Sequence, residues 1–239
     1  MYGPNEIAKA RLELLRHTNM IGYAIDVYKE LNGTDETPAE FKGREEGINR
    51  QYEDFKDSKL YECMESCLES DSIPTLSDDD LKEFSLTRED MDKSYSLAQF
   101  IMNCGDYELA LNLISFYIQQ IPATTSGDLF HDRMLNLLWG RLTCESLMSL
   151  DDGMTTLKEL EDALANIEKV ASAAQVLQER SWLVHYGLFL LSGMKNGEDF
   201  FVRTFFRKES VWQLNSSVDI SPRSSSTLPG CFATSWSCL

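Results

Sequence analysis

Residues 94–122 read SYSLAQFIMNCGDYELALNLISFYIQQIP. The centre, Asn103 to Tyr107, is a tight turn. After it Leu109, Ala110, Leu113, Ile114, Tyr117, Ile118 and Ile121 recur at helical spacing until Pro122 stops the run. SYSLAQFIMN before the turn is a second helix. The later stripe is two residues wide, so it serves two neighbours rather than one.

The theme recurs downstream. HDRMLNLLWGRLTCESLMSL (131–150) is a helix, Asp151-Asp152-Gly153 a turn, and MTTLKELEDALANIEKV (154–170) the partner helix. Aligning CGDYELALNLI with LDDGMTTLKEL gives a period of 46 residues. A third pair follows: VLQERSWLVHYGLFLL (176–191), the turn SGMKNG (192–197), then EDFFVRTFFRKESVW (198–212). Helix pairs repeated at this interval are the sequence signature of an α-solenoid. The expected fold is therefore all-α: a right-handed α-solenoid of TPR/HEAT-like helix-turn-helix repeats over residues 1–214, regular from about residue 91. With only 6 prolines and 13 glycines, a turn-rich β architecture is disfavoured.

Upstream, residues 6–16 form a helix with Ala8, Leu12 and Leu15 on one face. Met20, Ala24, Val27, Tyr28 and Leu31 mark the next, capped by Thr18 or Asn19 and ended by Asn32-Gly33. Residues 33–44 read as a turn. Glu45 to Leu68 is helical, broken once, with Ile48, Tyr52, Phe55, Tyr61, Met64 and Leu68 inward. After Leu214 the period vanishes. Residues 215–239 are a serine-rich, low-complexity tail, and Phe205, Phe206 and Trp212 would leave an apolar end before it.

The net charge is −17 and the pI about 4.5. Such a surface repels phosphate backbones and anionic membranes, so no direct strong nucleic-acid binding and no membrane contact are expected. Residues 61–92 hold 11 acids against Lys82 and Arg88. They read as a solvated connection around Ser72-Ile73-Pro74, or, more sharply, as a docking patch for a basic partner. Asp78 to Asp80 lack EF-hand spacing and the central glycine. They suit the positive start of a helix instead.

The six cysteines, at 63, 67, 104, 144, 231 and 238, follow no secretory h-region. Free thiols and a cytoplasmic location are the expectation. Cys63 and Cys67 share a helix face, but no second pair at zinc spacing follows. The apolar run from Trp182 to Leu191 is about half a membrane span, which suits a buried core helix.

An enzyme would need a base beside its nucleophile. His17 lies at a helix turn and His131 at a helix start; only His185 sits on an apolar helix. No G-x-S-x-G, H-E-x-x-H, P-loop or G-x-G-x-x-G pattern is present. His185 could face Cys144 across two helices, but an apolar setting marks it as a core residue. Gly187 would admit a close neighbour and Trp182 fill an inter-repeat gap, so Trp182→Ala should cost about 3 to 5 kcal/mol. No catalytic, cofactor or metal-binding residue is expected.

Four stretches carry a resemblance. They are LELLRHTNMIGYAIDVYKEL (12–31), FIMNCGDYELALNLISFYIQQIPAT (100–124), LLWGRLTCESLM (137–148) and LQERSWLVHYGLF (177–189). In order and spacing they resemble the e subunit of eukaryotic translation initiation factor three. Thr18, Asn19, Met20, Asp26, Tyr28, Trp139, Gly140, Glu145, Arg180, Trp182 and His185 stand at that family's motif positions. The resemblance implies a helical arm of the PCI type and a scaffold without catalytic residues. It further implies partners among the other initiation factor subunits and, through their complex, the small ribosomal subunit. The proteasome lid and the signalosome contain similar subunits and give the alternative; a non-functional fragment is another. The family starts earlier and continues into a winged helix, expected to be absent here. Residues 215–239 match no part of it, which points to a shifted frame, a retained intron or a misplaced gene boundary.

Overall fold

A computed structural model describes residues 3–70, 72–121, 128–148, 150–167 and 172–193. These hold ten helices and no strand: α1 (Pro4–Arg16), α2 (Ile21–Asn32), α3 (Ala39–Lys56), α4 (Lys59–Leu68), α5 (Asp78–Glu83), α6 (Arg88–Asn103), α7 (Tyr107–Gln120), α8 (Asp128–Met148), α9 (Leu150–Ile167) and α10 (Ala173–Gly193). The all-α reading stands. From α7 onward each helix packs on its predecessor, as a helical solenoid requires. The segment 198–212, most of SGMKNG and the tail 215–239 lie outside the described residues.

The hairpin α6–α7 turns where the sequence places it. Asp106 caps α7 by accepting the Leu109 N–H at 3.1 Å. Gly105 takes φ +86°, a conformation that disfavours any side chain. Helix α7 touches α6 and α8 as expected, but also α4. Phe116 and Gln120, outside the predicted stripe, are buried as well. The Gln120 carboxamide accepts the Leu76 N–H and donates to the Pro74 carbonyl, both at 2.8 Å. One buried side chain thus anchors the connection between α4 and α5. Glu69 and Asp78 to Asp80 stay outside, while Leu76, Leu81 and Leu86 are buried.

The acids act at helix starts. Ser77 caps α5 and Asp80 completes a capping box; Thr87 and Asp90 do the same for α6. So Asp78 to Asp80 fill a first turn, with Ser77 as the cap itself.

Three expectations on local structure fail. Residues 39–44 are not a turn: α3 starts at Ala39 because the Pro38 carbonyl accepts the Phe41 N–H and Phe41 is buried. Pro suits that position, since the helix start has amides to spare. Asp151-Asp152-Gly153 is likewise helical, the first turn of α9. Acidic residue types favour a helix start, and Gly153 is there for packing. A Cβ on it would lie 3.0 Å from Leu190 Cδ2 on α10. Finally, α2 is capped at Met20 rather than Thr18 or Asn19. The Thr18 hydroxyl donates to the Leu15 carbonyl and accepts the Met20 N–H, closing α1 and leading into α2.

Three cores result. The arm core holds Leu12, Leu15, Ile21, Ala24, Val27 and Phe41. The middle core runs from Phe55 through α4, α6 and α7 to Leu137 and Cys144 on α8. The last joins Leu138, Trp139 and Leu142 of α8 to Leu157, Leu160 and Leu190 of α9 and α10.

Phe116→Ala should cost about 3 to 5 kcal/mol in urea unfolding, because Phe116 is fully buried in the middle core. Leu14→Ala, on a residue 64% exposed, should stay within about 0.5 kcal/mol. The Asp90 carboxyl is pulled down to about 2 by hydrogen bonds from Lys93 and Thr87. Its stabilising effect is therefore complete above the unfolded carboxyl value and fades as pH falls from about 4 through 2. The melting-temperature gap between wild type and Asp90→Asn should close across that window.

Candidate functional site

Nucleophile chemistry is the first possibility to place. Cys144 is fully buried in the middle core. Burial first, and the neighbouring Glu145 carboxylate second, push its thiol up to about 12. His185 belongs to another surface. It is exposed on α10 and lines an open groove with Thr143, Ser146, Leu147, Trp182 and Phe189. The structure does not bring the two together. Cys63 and Cys67 are likewise buried, with Cys63 pushed up to about 12, mainly by burial. Among the described residues no group of three or more His, Cys, Asp or Glu side chains could hold a metal ion.

The core reading of His185 and Trp182 is overturned here. From Ser181 to Leu190, α10 buries Leu183, Gly187 and Leu190. Trp182 is 41% exposed, and its ring meets His185 edge-on at 6.0 Å. Leu188 and Phe189 are exposed too, as are Leu147 and Met148 at the end of α8. A helix apolar on all sides reads as wholly interior; instead one side is interior and the other lines a groove of about 290 Å³. Along with the Thr143–Tyr186 hydroxyl pair, α8 is joined to α10 by Trp139. Its indole N–H donates to Glu179 at 2.9 Å, and its ring packs 5.4 Å from Tyr186.

A second place assembles residues that the sequence holds far apart. The Asn19 N–H donates to the Asn103 carbonyl at 2.9 Å. The Asn19 carboxamide hydrogen-bonds the half-buried Cys104 thiol. The Met20 thioether lies so close over Gly105 that a Cβ there would be 3.0 Å from its sulfur. The Tyr52 hydroxyl donates to Asp106 Oδ2 at 2.5 Å. Thr18-Asn19-Met20 and Cys104-Gly105, parts of two of the stretches that carry the resemblance, are thus the two halves of one joint. In the sequence they stand as separate signatures. The signal available was Gly105 in a turn already closed by Asp106, where a glycine also leaves room for an incoming side chain.

The electrostatics favour contact over catalysis. Arg141 bridges buried Glu145 at 2.8 Å and Glu159 at 3.3 Å, tying α8 to α9. Arg133 and the Tyr117 hydroxyl both bond Asp92, clasping α6, α7 and α8. These paired charges hold helices together.

Comparison with known proteins is consistent along the chain. Residues 1–101 match the family model described as eIF3 subunit 6 N terminal domain. The chain is 31% identical over 220 residues to the e subunit of eukaryotic translation initiation factor 3 from Pyricularia oryzae, covering 89% of this chain and 47% of that protein. It is 28% identical over 221 residues to the Bombyx mori counterpart, with 87% and 48% covered. The Arabidopsis thaliana counterpart is 27% identical over 205 residues, with 82% and 44% covered. The chain spans about half the length of the relatives it matches.

The exposure of Trp182 revises its expected energetics. Trp182→Ala should cost about 1 kcal/mol or less in a thermal melt, because little cavity forms at a half-open site, whereas Leu157→Ala in the closed core should cost about 2 to 5 kcal/mol.

Proposed function

Because this chain belongs to the family of the e subunit of eukaryotic translation initiation factor 3, we propose that it is a scaffold within the translation initiation factor 3 complex, acting through protein–protein contacts. On this reading it works in the cytoplasm beside other subunits of that complex. It supports small-ribosomal-subunit binding and mRNA recruitment without chemistry of its own. The observation that carries the reading is the match to e subunits from a fungus, an insect and a plant over more than four-fifths of the chain.

The physical character of the molecule supports it. A helical stack offers long faces to partners. Net charge −17 suits a protein that reaches RNA through its neighbours rather than by itself. Cys144, the thiol that an enzyme would have used, is buried and held protonated away from His185. No helix among the described residues is long and apolar enough to cross a membrane. Residues 1–214 serve as the helical-repeat unit in this proposal, with 215–239 as an appendage outside it.

The test is affinity purification of the endogenous protein tagged at its N-terminus, with mass spectrometry of what is recovered. Other initiation factor 3 subunits at near-stoichiometric yield are the expected result. Proteasome-lid or signalosome subunits in their place would move the chain to a related assembly, and recovery of the bait alone would overturn the scaffold role.

A further inference from the structure

The arm made of α1, α2 and the first half of α3 is a body of its own. Its core shares no residue with the middle core. Arg44 on α3 braces it from within, donating to the carbonyls of Arg16 and Thr18, each at 2.9 Å. Extensive helix packing joins α1 to α2, α2 to α3 and α3 to α4, but does not join α1 or α2 to α6 or α7.

Among the described residues, the arm is attached to the stack at two principal places. One is α3 itself, uninterrupted from Ala39 to Lys56, with Ile48 against the arm core and Phe55 in the middle core. The other is the joint at the α6–α7 turn. There Met20, an unbranched and adaptable side chain, lies over the bare backbone of Gly105 and Asn19 donates to the Asn103 carbonyl, while Tyr52 on the α3 shaft bonds Asp106. Gly105 is doubly required, by its positive φ and by the missing Cβ.

We propose that this Met20–Gly105 contact is a latch. Closed, it fixes the arm against the α6–α7 turn; released, it lets the arm move as a unit on the α3 shaft with both cores intact. Small contacts of this kind, set between bodies that are each rigidly packed, switch between discrete states rather than deform gradually. The inference rests on geometry alone and stands whether or not the chain assembles with the partners proposed above.

Gly105→Ala is the direct variant, but it also strains the turn and could unfold the hairpin. The decisive variant is Met20→Ala, which removes the thioether from over Gly105 and leaves the buried residues of both cores and the turn's own residues in place. Two measurements on the full chain are needed: amide hydrogen exchange and small-angle X-ray scattering. The Asn19 amide should exchange at least ~10-fold faster than in wild type, while amides in the middle of α2 and α7 change less than ~2-fold. The largest dimension from scattering should increase. Unchanged Asn19 exchange, or unchanged dimensions, would overturn the proposal. So would equal acceleration of α2 or α7 amides, which would mean that a core unfolds and no latch exists.

Discussion

Helix α8 has to satisfy two cores at once. Leu137 and Cys144 close the middle core; Leu138, Trp139 and Leu142 open the next one. An apolar side chain left facing water on either side forfeits its transfer free energy, so α8 is stable only with α7 on one flank and α9 on the other. Helix α7 meets the same demand with α4, α6 and α8 around it. This sharing of helices between successive cores makes the chain a stack. It also explains why buried polar groups recur along α8: Glu145 is held by Arg141, and the Ser146 hydroxyl donates to the Leu142 carbonyl. A helix flanked by two cores has to find most partners for its buried polar side chains inside, and Glu145 does so through one of its two oxygens.

Much of this was legible in the sequence. The turn at Cys104-Gly105-Asp106, the two-sided stripe of α7 and the single break near residue 57 all follow from periodicity and punctuation. The misreadings share a cause. Pro38 with Gly43, and again Asp152-Gly153, read as breaks because glycine and proline punctuate chains. Phe41 and the close approach of Leu190 show that burial outweighed the propensity cost of about 1 kcal/mol per helical glycine. Trp182 and His185 are misplaced by the sequence for the opposite reason. Hydrophobicity tells that a surface is apolar, but not whether a neighbour covers it. The joint between residues 19–20 and 103–106 was invisible because periodicity reports faces within one helix and says nothing of contacts between distant turns.

The acidic surface is equally a matter of placement. Residues 61–92 carry about half of the net charge, yet their backbone is held by Gln120, by Arg88 on the Leu76 carbonyl and by two capping boxes. Six of these carboxylates, Glu62, Asp78 to Asp80, Glu89 and Asp90, sit in first turns of helices, where the dipole favours negative charge. These six are carried on a fixed framework, even though individual surface ion pairs contribute little.

The arm core is built wholly from residues 12–48, whereas its seat on the stack lies at residues 103–106. On a chain made from the N-terminus, the arm has every contact that its core needs some fifty residues before its seat has been synthesised. Its contacts are short in sequence and close quickly. The order of assembly is therefore written into the topology: the arm forms first, the α6–α7 turn follows, and the two meet as finished parts rather than as a folding chain.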